Sequence, residues 1–158
     1  MFRLKIFFLL MVFFLQFENI FAFEPSHLKL LIETNKCIKC DLSHVKLNGF
    51  HLRFADLTMA NLQGARLTGA YLTKANLSQA DLSEAQLKDA HLAGANLSNA
   101  KLQFADLKNA DLLEANLTGA NLTGANLHNT NLRLAKLEYV TWTNGRVCRK
   151  ESIEICDY

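Results

Sequence analysis

The residues best suited to chemistry are four cysteines: Cys37 and Cys40 in the unit Cys37-Ile38-Lys39-Cys40, and Cys148 and Cys156 near the end of the 158-residue chain. A Cys-x-x-Cys unit acts as a redox dithiol when its environment favours a thiolate, typically at a helix N-terminus. The same spacing serves half of a four-Cys zinc site or a short structural disulfide. Asp41, not His, follows Cys40, so the unit is not one for covalent haem attachment. The five His residues are spread apart in sequence with no pair at metal spacing. The chain has neither a Gly-rich phosphate loop nor a Ser nucleophile elbow.

The environment of those thiols depends on what surrounds them, beginning with the first 22 residues. Arg3 and Lys5 precede an apolar run from Ile6 to Leu15, a polar break covers Gln16 to Asn19, and small Ala22 follows. This is the plan of a secretory signal peptide cut after Ala22, although Ile20 is larger than the usual residue at its position. The run falls short of the roughly 20 residues a membrane span needs. No later segment is apolar enough to span. The mature chain is therefore expected to be exported from a bacterial cell, to the periplasm or the medium, where thiols oxidise.

Half of the residues are apolar, yet the chain has one Pro, one Trp and three Tyr, while Leu and Ala dominate. Such bias signals repetition. Leu recurs at every fifth position from Leu42 to Leu137, and Ala stands two residues earlier from Ala55 to Ala125 and again at Ala135. Cys40, Val45, Phe50, Thr130 and Val140 are the variants at the ends of this small-residue column. A polar residue, most often Asp or Asn, separates the two columns. A period of five suits neither the 3.6 of a helix nor the 2.0 of a strand. A chain that turns a corner every five residues keeps both columns inside. Gly64, Gly69, Gly94, Gly119 and Gly124 share one place after Leu, where a corner needs φ > 0.

Units such as Ala55-Asp56-Leu57 and Ala60-Asn61-Leu62 resemble the pentapeptide-repeat family over residues 40–140. The resemblance implies an all-β fold, a right-handed quadrilateral β-helix in which four repeats close one square coil. It implies about five coils, and at the ~4.8 Å spacing of paired strands a column about 24 Å long. The expected organisation is a signal peptide at 1–22, a short N-terminal capping helix within 23–39, the β-helix at 40–140 and a C-terminal cap with a Cys pair at 141–158. Ser26 is the expected N-cap of that helix, with Leu28, Leu31 and Ile32 at helical spacing to cover the first coil. Trp142 takes the Leu position as a plug over the last layer.

With the column length that the resemblance implies, the two cysteine pairs sit at opposite ends, whereas bridged Cα atoms lie within about 7 Å. The expected disulfides are Cys37 with Cys40 and Cys148 with Cys156, and a single four-Cys zinc site within one molecule is excluded. The start Cys37-x-x-Cys40-Asp41-Leu42 and the tail Thr141-Trp142-x-x-Gly145-Arg146-x-Cys148 also resemble exported members of the family. Cys40 falls in the inward column and follows the helix instead of opening one, which disfavours redox work.

Stacking the chain every twenty residues sorts the surface into ladders. One side carries Asp56, Asn76, Asn96, Asn116 and Lys136 with Thr58, Ser78, Ser98 and Thr118, a polar wall. The side through Leu52, Leu72, Leu92, Leu112 and Leu132 carries His51, Arg53, Phe54, Tyr71, Lys74, Leu113, Arg133 and Leu134. That mixture of aromatic, basic and aliphatic groups is what interface cores favour, and it is the expected partner face. His51 and His91 lie two coils apart with Tyr71 between them, roughly 10 Å by strand spacing and too far for one metal ion. Asn76, Asn96, Asn116 and Asn121 match the glycan acceptor pattern, but the repeat produces that pattern by itself.

Some members of the family mimic DNA and protect topoisomerases, which calls for a strongly acidic rod in the cytoplasm. Residues 41–140 hold nine Lys or Arg and nine Asp or Glu, so this rod is neutral. The evenly mixed charge shows no basic stripe for nucleic acid. The expectation is a noncatalytic exported scaffold that needs no cofactor and binds an unidentified protein or envelope component through one side. The alternative is a redox-active or metal-carrying protein using Cys37 and Cys40.

Overall fold

The computed structural model of the chain describes residues 24–148. The segment read as a signal peptide, residues 1–22, and Cys156 lie outside the described residues.

One helix, α1 (Pro25–Thr34), precedes the repeats. Pro25 occupies its first turn, where the missing N–H costs nothing. The N-cap is Glu24, not the expected Ser26, and it makes no side-chain capping bond. Ser26 Oγ instead donates to Glu24 Oε2 at 3.3 Å. At the other end Asn35 takes the left-handed conformation (φ 56°), and its N–H donates to Leu31 O. Leu31 is buried and Leu28 packs partly against the core, whereas Ile32, also expected inside, is exposed. A single helix packed against the core buries one narrow stripe, and Ile32 is turned past it. The helix is tied down by Asn35 Nδ2 donating to Arg53 O (2.9 Å) and by Asp41 N–H donating to His27 Nδ1 (3.1 Å).

From Lys36 onward the chain coils with a register of twenty: parallel bridges join Lys36 to Asp56, Asp56 to Asn76, and so on to Asn121 with Thr141. Each side of a coil contributes one bridge residue, too little for an extended strand, so the β-helix is built of isolated bridges. Around Leu57 the pattern is complete. Leu57 N–H donates to Asn76 O (2.8 Å), Asn76 N–H to Ala55 O (2.8 Å) and Met59 N–H to Ser78 O (2.9 Å). Ala60 N–H closes the turn on Leu57 O (3.0 Å).

The residue after Leu has an N–H that stacking does not use, and here the repeat's Asp or Asn acts. Asp56 Oδ1 accepts from Thr58 N–H, Asn76 Oδ1 from Ser78 N–H and Asn96 Oδ1 from Ser98 N–H, each at 3.2 Å. A side chain this short is what an Asx turn requires. The repeat therefore satisfies its backbone locally.

The second residue after Leu forms the corner and has φ near +60° whether or not it is Gly: Phe54, Met59, Lys74 and Glu84 share the conformation of Gly64 and Gly69. L-residues resist this region. They hold it because the backbone bonds on both sides of the corner leave no other path.

Inside, the two columns are sealed. Leu57 to Leu122 and Ala55 to Ala120 are fully buried at every step, and no polar or charged side chain among the described residues is buried with them. At the far end Trp142 is buried at the Leu position, packed on the side that ends with Leu122. Leu127, Leu132 and Leu137 remain only partly buried, so Trp142 plugs its own side of the square rather than the whole layer. The chain then reverses: Thr141 pairs antiparallel with Val147, Trp142 N–H donates to Arg146 O (2.7 Å) and Cys148 N–H to Val140 O (2.8 Å).

Candidate functional site

The local path at the start of the column decides the chemistry of the first cysteine pair. Lys39 takes the corner conformation (φ 57°), bringing Cys37 and Cys40 to a Cα–Cα distance of 5.3 Å, and they form a disulfide. Cys37 is 0% and Cys40 3% exposed, beneath α1 and within the core cluster. Reagents reach neither sulfur without the end of the column opening. Cys148 is also disulfide-bonded and buried. Among the described residues no group of three or more His, Cys, Asp or Glu could hold a metal ion.

The side nominated from sequence carries a continuous ring stack. His51, Tyr71 and His91 follow one another through parallel bridges. Their ring centroids are 4.6 Å apart at both steps, with interplanar angles of 6° and 11°. The coil spacing of ~4.8 Å nearly matches ring thickness, so stacking follows from register alone. Below His91 the column turns polar: Asn131 Nδ2 donates to Asp111 Oδ1 at 2.7 Å.

The remaining nominated residues are distributed along the column. Arg53 and Phe54 lie beside His51, and Lys74 runs beside Tyr71 with its Cγ over Gly94. Leu113, Arg133 and Leu134 belong to the far coils, so the eight residues form two groups rather than one patch. Phe54 is 62% and Leu134 73% exposed. Phe50, expected from sequence in the inward small-residue column, is exposed instead. Its signal was its place in the small-residue column, where a phenyl ring does not fit.

On the polar wall, Asn96 Nδ2 donates to Asn76 Oδ1 (3.2 Å) and Asn116 Nδ2 to Asn96 Oδ1 (3.3 Å). Asn76 Nδ2 reaches Thr58 Oγ1 (2.8 Å). The amide nitrogens that a glycan would need are the donors of this ladder.

Among the described residues two carboxyls are shifted. The Ser43 N–H lowers Asp41, helped against burial by the hydrogen bond from Asn61. For Asp81 burial acts upward, but hydrogen bonds from Ser83 and the ammonium of Lys101, at 3.1 Å, outweigh it and the carboxyl is lowered.

Neutrality of the whole rod conceals a separation between sides. Lys46, Arg66, Lys88 and Lys108 fall on the side through Leu47 and Leu127, against Asp106 and the corner Asp89. The neighbouring side holds Asp41, Asp81 and Glu84 against Lys101. Charge that is evenly mixed along the chain is therefore not evenly mixed around the column, because a period of twenty does the sorting.

The family model for pentapeptide repeats matches eight copies, over residues 36–73, 70–103 and 100–138. Among solved structures, the chain is similar to the pentapeptide repeat protein Rfr23 of the cyanobacterium Cyanothece 51142. Identity is 33% over 74% of this chain and 97% of that one, with a TM-score of 0.43. It is also similar to HetL of Nostoc, a pentapeptide repeat protein involved in heterocyst differentiation regulation, at 30% identity over 72% and 66% of the chains (TM-score 0.40). A third is a pentapeptide repeat protein of the Arabidopsis thaliana thylakoid lumen, at 26% identity over 84% and 79% (TM-score 0.34). No match was found among curated proteins.

Proposed function

Because the chain belongs to the pentapeptide-repeat family, we propose that it is a noncatalytic, exported scaffold that binds a protein or envelope component through the side carrying His51, Tyr71 and His91. Proteins of this family are generally structural or binding proteins. The finer architecture goes with this reading: a right-handed quadrilateral column of about five coils, closed by α1 at one end and stapled by cysteine pairs at both.

The observation that carries the proposal is the ring stack. It holds three rings in fixed, parallel orientation with Phe54 and Arg53 beside them. Preordered aromatic groups bind with little loss of side-chain entropy, and aromatic residues and Arg are the usual anchors of interfaces. The filled Leu and Ala interior leaves no room for a substrate within the column. Export is supported by the cleavable-signal pattern of residues 1–22 and by the Cys37–Cys40 disulfide, a bond typical of oxidising compartments. The buried state of that disulfide gives the redox reading no support.

Crosslinking in the native compartment followed by mass spectrometry tests the proposal. A partner peptide linked next to Tyr71 in the wild type, and lost in Tyr71→Ala with Phe54→Ala, is the expected result. Undiminished capture by that variant, or a mature N-terminus that retains residues 1–22, overturns the surface or the export part respectively.

A further inference from the structure

On the basic side, Lys46 and Arg66 stack directly through a parallel bridge, and Gln86 follows Arg66. Other bridge columns place complementary groups next to one another: Asn61 on Asp41, Lys101 on Asp81, Asn126 on Asp106, Asn131 on Asp111. Lys46 and Arg66 are the one pair of like charges stacked in these columns. Like charges directly opposite each other in a ladder repel. The ion pairs among the described residues join Lys29 to Glu33, Lys88 to Asp89 and Lys101 to Asp81, so neither Lys46 nor Arg66 has an ion-pair partner among them.

The same two cations lie in a groove of about 640 Å³, lined by Leu28, His44, Val45, Lys46, Gly64, Arg66 and Gln86. No carboxylate among the described residues lines it. At Gly64 the groove is flanked by the His44 ring, whose Nδ1 would stand 2.5 Å from a Cβ on Gly64, and Leu28 of α1 supplies an apolar wall.

We propose that this groove binds a phosphate monoester carrying a short apolar chain. The charge fits, since two uncompensated cations match the roughly −1.5 to −2 of a phosphate monoester at neutral pH. The spacing fits too: side chains this long, rising from rungs ~4.8 Å apart, have the reach to meet the oxygens of a single phosphate. Gln86 offers a further donor, and the chain of the ester lies towards Leu28. The phosphate belongs either to a soluble ester or to a lipid headgroup, and both present the same chemistry.

Hexyl phosphate, titrated into isotope-labelled protein, tests the site. The expected result is movement of the amide signals of Lys46, Arg66 and Gln86. The double variant K46Q/R66Q should weaken binding by about tenfold or more through loss of charge-assisted hydrogen bonds. K88Q/K108Q, on the same side but outside the groove, should bind as the wild type does. Flotation with phosphatidylcholine vesicles, with and without phosphatidic acid, separates the sources: capture that needs both phosphatidic acid and Lys46/Arg66 assigns a lipid, and hexyl phosphate binding without capture assigns a soluble ester. Signals moving elsewhere, or equal weakening in both double variants, overturns the proposal. Both cations are exposed, so K46Q/R66Q should melt no lower than wild type, and relief of their repulsion should raise its melting point.

Discussion

Reducing the Cys37–Cys40 disulfide, or replacing both residues by Ala, removes the staple at the start of the column. The bridge spans a sequence separation of 3, and closing so short a loop contributes about 2 kcal/mol by chain entropy. In a stacked repeat that loss falls on the coil it secures and its neighbour rather than on the whole column. Two backbone bonds report it directly: Cys37 N–H donates to Asp56 O at 2.7 Å, and Asn61 N–H to Cys40 O at 2.8 Å. Native-state hydrogen exchange at Asn61 should therefore speed up by about 30-fold, the factor that corresponds to 2 kcal/mol. Exchange at Asn96, whose N–H donates to Ala75 O in mid-column, should not change. The assay is exchange by NMR with and without reductant, alongside urea melts of the Cys37→Ala/Cys40→Ala variant. Identical exchange at Asn61 and identical melting would refute the staple. Fast reduction by mild thiol under native conditions would instead revive the redox dithiol, because both sulfurs are buried in the closed column.

A corner comparison separates backbone strain from contact. Gly69→Ala meets nothing within 4 Å and should cost about 1 kcal/mol for φ > 0 alone, whereas Gly124→Ala places a Cβ 2.6 Å from the Phe104 ring and should cost more. The excess should vanish in Phe104→Ala, as a double-mutant cycle by urea denaturation would read. Leu92→Ala, at a fully buried position, should cost 2–5 kcal/mol, about the range for buried leucines, and Leu132→Ala near the partly open end should cost less. Asp41 and Asp81 bind protons less readily folded than unfolded, so their contribution is complete above the ordinary carboxylate range of about 4. It should be lost as pH falls through their lower folded values, and Asp81→Asn should flatten that part of an acid-denaturation curve.

The column was legible because its period is short and its inward residues are of two sizes. Leu and Ala mark the interior whatever the exact shape of the coil, and the family resemblance supplied the shape. The start of α1 was less legible: Ser26 is a good N-cap by type, but Pro25 fixes φ for a first helical turn and moved the cap to Glu24. Corners were read from glycines alone, whereas Phe54 and Glu84 show that ladder bonding imposes the same turn on side chains that resist it. The ring stack was half visible. The twenty-residue register put Tyr71 between His51 and His91, but parallel ring planes are a property of geometry. The Lys46 and Arg66 pair was hidden by counting charge along the chain, which averages over four sides.

The register that makes the ladders also quantises how such a chain can change length. Twenty extra residues in mid-column add one coil and leave every vertical neighbour in its own column. Five extra residues after Ala60 rotate everything downstream by a quarter turn. Arg66 would then arrive where Tyr71 now meets His51, and Tyr71 would stack on Asp56. The interior would not register the insertion, since one Leu replaces another. Core stability and surface pattern thus follow different arithmetic, and a variant can keep its full melting temperature while its exterior is entirely reassembled.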